Sequence, residues 1–383
     1  MIQMHVTQIV VDEISITLGG SDSQPLTGNI PNTKTRLRVS PHRNTMVTSP
    51  VMFTRRQFIQ GAAATAFAAS APAQTVDRER LLSIPRPGRV RVVLDTDTYN
   101  EIDDQYAVAY SLLSPEHMTV EAIYAAPFVN DRSRSAAEGM EKSYEEILRL
   151  LTFFDDVDES IAHRGSDRFF ERLDRPVESP AALDLIEKAL QPSNEPLYVL
   201  TIGSPVNVSS AILLEPAIKE KIVVVWLGGT PQYWPSAREF NLRQDVIASQ
   251  VLFDSGVPLV QIPTKNVAEH LRTTVPELTE YIQGRSQLGD YLHGQFLQYS
   301  ALRMKNGAQS TGFPYSKVIW DISAVAWINN PMWVPSDTVS SPVLTDDMRW
   351  EPTTDRHLIR VANNVNRDEV FNDLFPRLAS LAR

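Results

Sequence analysis

Arg89-Val-Arg-Val-Val-Leu94 runs directly into Asp95-Thr-Asp97-Thr-Tyr-Asn100-Glu101-Ile-Asp103-Asp104. The first six residues are rich in β-branched and apolar types, which predicts a buried strand. The next ten hold five carboxylates, and an amphipathic stretch over residues 102–113 starts before they end. Carboxylates gathered at the end of a buried strand repel one another, at a cost of several kcal/mol in a partly desolvated site. A divalent cation removes that repulsion and takes the same oxygens as ligands. Capping of the following helix explains one such carboxylate, not five.

Outward from this stretch, strand and helix signals alternate. Residues 119–125, 197–202, 222–227 and 258–262 are apolar runs. Between them lie helical patterns at 133–152, where Met140, Tyr144, Ile147, Leu148 and Leu151 share one face, and at about 205–214 and 244–254. This alternation predicts an α/β fold, an open and mainly parallel sheet with helices on both faces, forming a single catalytic domain over 89–383. Sites in such sheets lie beyond the carboxyl ends of the strands, where the acidic run falls.

The chain of 383 residues is long enough for a large core, and its net charge of −10 argues against a general nucleic-acid binder. Cysteine is absent, which excludes disulfides, thiolate catalysis and cysteine-ligated metals. With 7 His against 46 acidic residues, a metal site here is expected to be built of oxygen, favouring Ca²⁺ or Mg²⁺. The body of the chain holds no apolar run of about 18 residues, so no membrane span is expected.

Residues 52–73 have the order of an export signal. A basic head (Arg55-Arg56, then Phe58) precedes a short apolar stretch and Ala71-Pro72-Ala73. The paired arginines resemble a twin-arginine signal, which implies a periplasmic or secreted protein with no membrane attachment after export. The polar residues 1–51 before it are expected not to belong to the native start, translation beginning near Met52; residues 74–88 read as a linker.

The ordered set Asp95-Thr-Asp97…Ile102-Asp103-Asp104-x-x-Ala107, Ile202-Gly203-Ser-Pro-Val206-Asn207, Trp226-Leu-Gly228-Gly229, Glu239-Phe240-Asn241, Phe253-x-Ser-Gly256-Val-Pro258 and Trp320-Asp321-x-x-Ala324 resembles the inosine–uridine nucleoside hydrolases over roughly residues 89–375. The resemblance implies Ca²⁺-dependent hydrolysis of the N-glycosidic bond of a ribonucleoside or related riboside. By motif position, Asp97, Asp104, the main-chain carbonyl of Val206 and the side chain of Asp321 would hold calcium. Asp103 would be the base that activates the bound water, with Asp95 supporting. Glu239, Asn241 and Asn130 would hold ribose hydroxyls. A homodimer or homotetramer would fit the same resemblance.

Three departures accompany it. Thr98-Tyr-Asn-Glu101 replaces the family's Pro-Gly and is two residues longer. Trp320 stands where the family has a leaving-group histidine. The stretch 230–238 is short, lacks the usual Gly-Asn and carries Tyr233 and Trp234. His270 and His293 are candidate replacements for the missing acid, and His163 reads as structural. Two rival functions follow. Asp95-Thr-Asp97-Thr98 also resembles the nucleophile motif of haloacid-dehalogenase-like phosphatases, although no late lysine with an acidic pair stands out. The Trp320 departure also suits a nucleoside- or sugar-binding protein with impaired catalysis.

Overall fold

The computed structural model describes residues 78–305 and 315–381. The proposed signal and the segment before it therefore lie outside the described residues. Strands Val90–Thr96 (β1), Met118–Ala125 (β2), Ala162–Arg164 (β3), Leu197–Thr201 (β4), Ile222–Leu227 (β5) and Leu259–Ile262 (β6) pair in parallel. Arg272–Thr274 (β7) and Ser316–Val318 (β8) form a short antiparallel pair outside that sheet. Ser336–Ser340 (β9) closes the main sheet, Val343–Leu344 (β10) pairs with Trp350–Glu351 (β11), and Leu358–Ala362 (β12) lies between β6 and β9. The order is β3-β2-β1-β4-β5-β6-β12-β9, and β9 runs antiparallel to β12.

The helices are Arg78–Leu81 (α1), Asp103–Leu112 (α2), Ala136–Leu151 (α3), Pro180–Leu190 (α4), Val206–Leu214 (α5), Phe240–Gln244 (α6), Val246–Asp254 (α7), Val275–Tyr281 (α8), Gln287–Lys305 (α9), Ile322–Asn329 (α10) and Arg367–Ser380 (α11). Their starts follow local chemistry. Ser135, Ser179 and Asp245 each accept a backbone N–H of the first turn of α3, α4 and α7, and Thr274 with Glu277 forms a capping box on α8.

Successive strand side chains point to opposite faces, and the core divides accordingly. Val92 and Leu94 of β1, with Val223 and Val225 of β5, pack with α2, α3, α10 and α11. Val93, with Ile222, Val224 and Trp226, packs with α4, α5 and α7 on the other face. Each fully buried side chain of this kind contributes about 1.5–3 kcal/mol. Because the neighbours of β1 are β2 and β4, the chain reverses its direction of winding there, opening a crevice at the carboxyl ends of β1 and β4. None of the described helices is long and apolar enough to cross a membrane.

Candidate active site

A cavity of about 400 Å³ opens at that crevice. Asp97 enters it from the end of β1, Asn100 and Glu101 from the following loop, and Asp103 and Asp104 from the first turn of α2. Ile202 comes from the end of β4, Leu227 from β5, Glu239, Phe240 and Asn241 from the start of α6, and Thr264 and Lys265 from beyond β6. Trp320 and Asp321 close it from the head of α10. The floor is thus acidic, while Arg238 and Lys265 bring positive charge to the same walls.

One oxygen from each of Asp103, Asp104 and Asp321 lies within 4.8 Å of the others, and all three residues are buried. Asp97 adjoins this trio. It is 1 % exposed and neither of its oxygens meets a donor. Burial, then the charges of Asp104 and Asp103, push its pKa well up. Burial and the charges of Asp104 and Asp103 likewise raise Asp321. Burial and the Asp103 charge bring Asp104 to about 7, although the Thr96 hydroxyl donates to it at 2.6 Å. A divalent cation suits these residues: orphaned carboxylate oxygens, hard ligands and mutual repulsion all call for positive charge.

Asp103 behaves differently. Burial, the largest single influence, works to raise it, but the Lys317 ammonium 2.8 Å from Oδ1, together with hydrogen bonds from Asp321 and the backbone, holds the carboxyl below its ordinary value. Lys317 carries no signal of its own in the sequence, where no late lysine with an acidic pair stands out. It sits in β8, and 214 positions separate it from Asp103. It also pairs with Glu101 at 2.6 Å, and Glu101 accepts from the Tyr299 hydroxyl at 2.9 Å. Glu101 is therefore a wall of the cavity held from behind.

The other predicted residues fall as follows. Asn241 donates both amide hydrogens, to Ile202 O at 2.9 Å and Leu227 O at 3.0 Å, leaving Oδ1 for the cavity. Glu239 caps α6 and accepts from the N–H groups of Gly229 and Leu242. Asn130 does not line the cavity; its amide donates to Asn100 Oδ1 at 2.6 Å, and Asn100 takes the place in the wall. Val206 is fully buried at the first position of α5, also outside the lining. Asp95 is fully buried, accepts Asn207 Nδ2 at 2.8 Å and is raised by burial to about 7.

Asp95 is absent from the cavity lining, unlike the equally buried Asp97 and Asp104, which counts against the phosphatase reading with Asp95 as nucleophile. No histidine lines the cavity among the described residues. His293 is buried against Thr279, and His163 stands near Asp184. Trp234 lines the cavity, whereas Tyr233 is 77 % exposed, so neither is a core residue.

Comparison with known proteins agrees with this architecture. The model of the family described as inosine-uridine preferring nucleoside hydrolase matches residues 92–372. The pyrimidine-specific ribonucleoside hydrolase RihA of Escherichia coli O1:K1 / APEC is 29 % identical over 192 residues, which span 44 % of this chain and 58 % of the relative. The chain therefore matches rather more than half the length of that curated relative. Among solved structures, the purine-preferring ribonucleoside hydrolase from Gardnerella vaginalis superposes with a TM-score of 0.62 at 18 % identity, covering 76 % of this chain and 98 % of that one. The plant nucleoside hydrolase PpNRh1 gives 0.61 at 21 %, covering 77 % and 100 %. With the family model matching from β1 through α11, the chain belongs to the inosine-uridine preferring nucleoside hydrolase family.

Proposed function

We propose that this protein is a calcium-dependent hydrolase of the N-glycosidic bond of a ribonucleoside or related riboside, acting after export. The observation that carries this reading is the meeting of Asp97, Asp103, Asp104 and Asp321 with Glu239 and Asn241 in one cavity. Asp97, Asp104 and Asp321 are the side chains that would hold the ion, together with the Val206 carbonyl carried over from the family motif. A bound Ca²⁺ supplies charge that acidifies water and orients hydroxyl groups.

Asp103 keeps one oxygen free of Lys317 and takes the proton of the attacking water. The water oxygen bonds to the anomeric carbon as the bond to the base breaks, and the electron pair leaves with the base. The reacting sugar gains oxocarbenium character, which the surrounding carboxylates stabilise. Asn241 Oδ1 and Glu239 accept from ribose hydroxyls, and Asn130 acts through Asn100. With no histidine in the lining, a base that leaves easily is favoured.

Export rests on the Arg55-Arg56 segment, and a dimer or tetramer on the family resemblance; cell fractionation and light scattering check them. The functional test uses protein purified from residue 74 onward, with p-nitrophenyl riboside, inosine and uridine, in Ca²⁺ and in EDTA. Turnover in Ca²⁺ that EDTA abolishes is expected. Tight nucleoside binding without turnover would replace this reading with that of a binding protein.

A further inference from the structure

Lys317 is a buried cation whose three N–H groups are all engaged. It donates to Asp103 Oδ1 at 2.8 Å and to the Val318 carbonyl at 3.2 Å, and it pairs with Glu101 Oε2 at 2.6 Å. The Trp320 and Tyr299 rings stand 4.6 Å and 5.5 Å from Nζ, so the ammonium also faces two aromatic surfaces. The side chain is 5 % exposed. A lysine so completely satisfied has no hydrogen to spare for a leaving group and no freedom to swing toward one. Its effect must pass through the groups it grips.

Those groups are unequal. Glu101 comes from the loop that is two residues longer than the family pattern, and it is fixed in turn by the Tyr299 hydroxyl and, through its main chain, by Arg132. Glu101 thus anchors one side of the ammonium and leaves the other facing Asp103. Asp103 belongs by proximity to the same trio as Asp104 and Asp321. With Oδ1 accepting from Lys317, one of its lone pairs is taken and the ammonium stands beside it, so Lys317 competes with bidentate ligation by Asp103.

We propose that Lys317 is a positioning residue that divides the acidic cluster. It keeps Asp103 out of full metal ligation and available to water, and its own positive charge weakens the affinity of the cluster for a divalent cation. This rests on the hydrolase reading for the role of Asp103, but the charge effect stands on the cluster alone. The long loop acquires a purpose too: Glu101 supplies the second anion without which a lysine could not be buried there.

The test measures Ca²⁺ binding by calorimetry on metal-stripped protein beside steady-state kinetics with p-nitrophenyl riboside. Removing a positive charge this near the ligands should tighten Ca²⁺ binding of Lys317→Met about tenfold. Release of Asp103 should lower kcat on the order of a hundredfold, with KM changed little. Lys317→Arg should keep the wild-type Ca²⁺ affinity within a few-fold. If Lys317→Met does not fold, Lys317→Gln carries the same comparison with a hydrogen-bond donor retained. Damage to the fold would weaken calcium binding, the opposite sign to that expected. Unchanged or weaker Ca²⁺ binding in folded neutral variants overturns the proposal. Calcium-loaded wild type that hydrolyses no riboside overturns the functional reading instead, since the titration needs no substrate.

Discussion

Replacing Asp97 by Asn should stabilise the protein without metal and cripple it with metal. Asp97 is buried with two oxygens that meet no donor and two carboxylates beside it. An unsatisfied buried polar group costs about 1–3 kcal/mol, and an amide of nearly the same shape can donate to Asp104. At about 2 °C per kcal/mol for a domain of this size, Asp97→Asn should melt about 2–6 °C above wild type in EDTA. Calcium should reverse the order. An ion at a hundred times its Kd stabilises the folded state by about 2.7 kcal/mol, or roughly 5 °C, and the variant should lose most of that gain. Differential scanning fluorimetry of both proteins across a calcium series reads the crossing directly. A variant that melts below wild type in EDTA, or that shows the full calcium shift, would refute the account of Asp97 as a frustrated ligand.

Three further outcomes are expected. At Gly203 an added Cβ would lie 3.1 Å from Asp97 Cγ and 3.2 Å from Ala126 Cβ, so Gly203→Ala should displace the carboxylate and weaken calcium binding roughly tenfold; calorimetry giving wild-type affinity would contradict it. Asn241→Ala strands the carbonyls of Ile202 and Leu227, costing about 1–3 kcal/mol, and also raises KM for the riboside; melting curves and initial rates separate the two effects. Burial, then Arg78 and Arg356, push His357 down to about 4 from 6.5, so the folded protein binds fewer protons than the unfolded one. Stability is therefore lost as pH falls from 6.5 toward 4, by roughly 1 kcal/mol at pH 5 once solvent screening of the half-buried ring is allowed for, and His357→Gln should flatten that slope in melts at pH 7 and pH 5.

The central strands were legible because burial on both faces leaves an unbroken apolar run, as at Ile222–Leu227. The helix predicted over 133–152 is α3, trimmed by its Ser135 cap. The edge of the sheet was not legible. Leu358–Ala362 is a short apolar run broken by Arg360, and Ser336–Ser340 is polar except for Val339, so neither stands out from a loop. The same division holds in the site. Asp95 to Asp104 announce themselves because strand and helix place them within ten residues. Lys317 has no local pattern, and only the closure of β8 against the long loop shows its purpose. Asn130 was read as a sugar contact because it follows β2, and packing hands that position to Asn100.

The reversal of winding between β1 and β4 also decides where heritable change is cheap. Residues 98–101 bridge the end of β1 and the start of α2, outside every ladder of the sheet. Extra length there leaves the pairing of eight strands intact while altering one wall of the cavity. On the proposed hydrolase function, changes in this one loop would reshape a wall of the cavity on an unchanged frame, provided Glu101 is kept as the partner of Lys317.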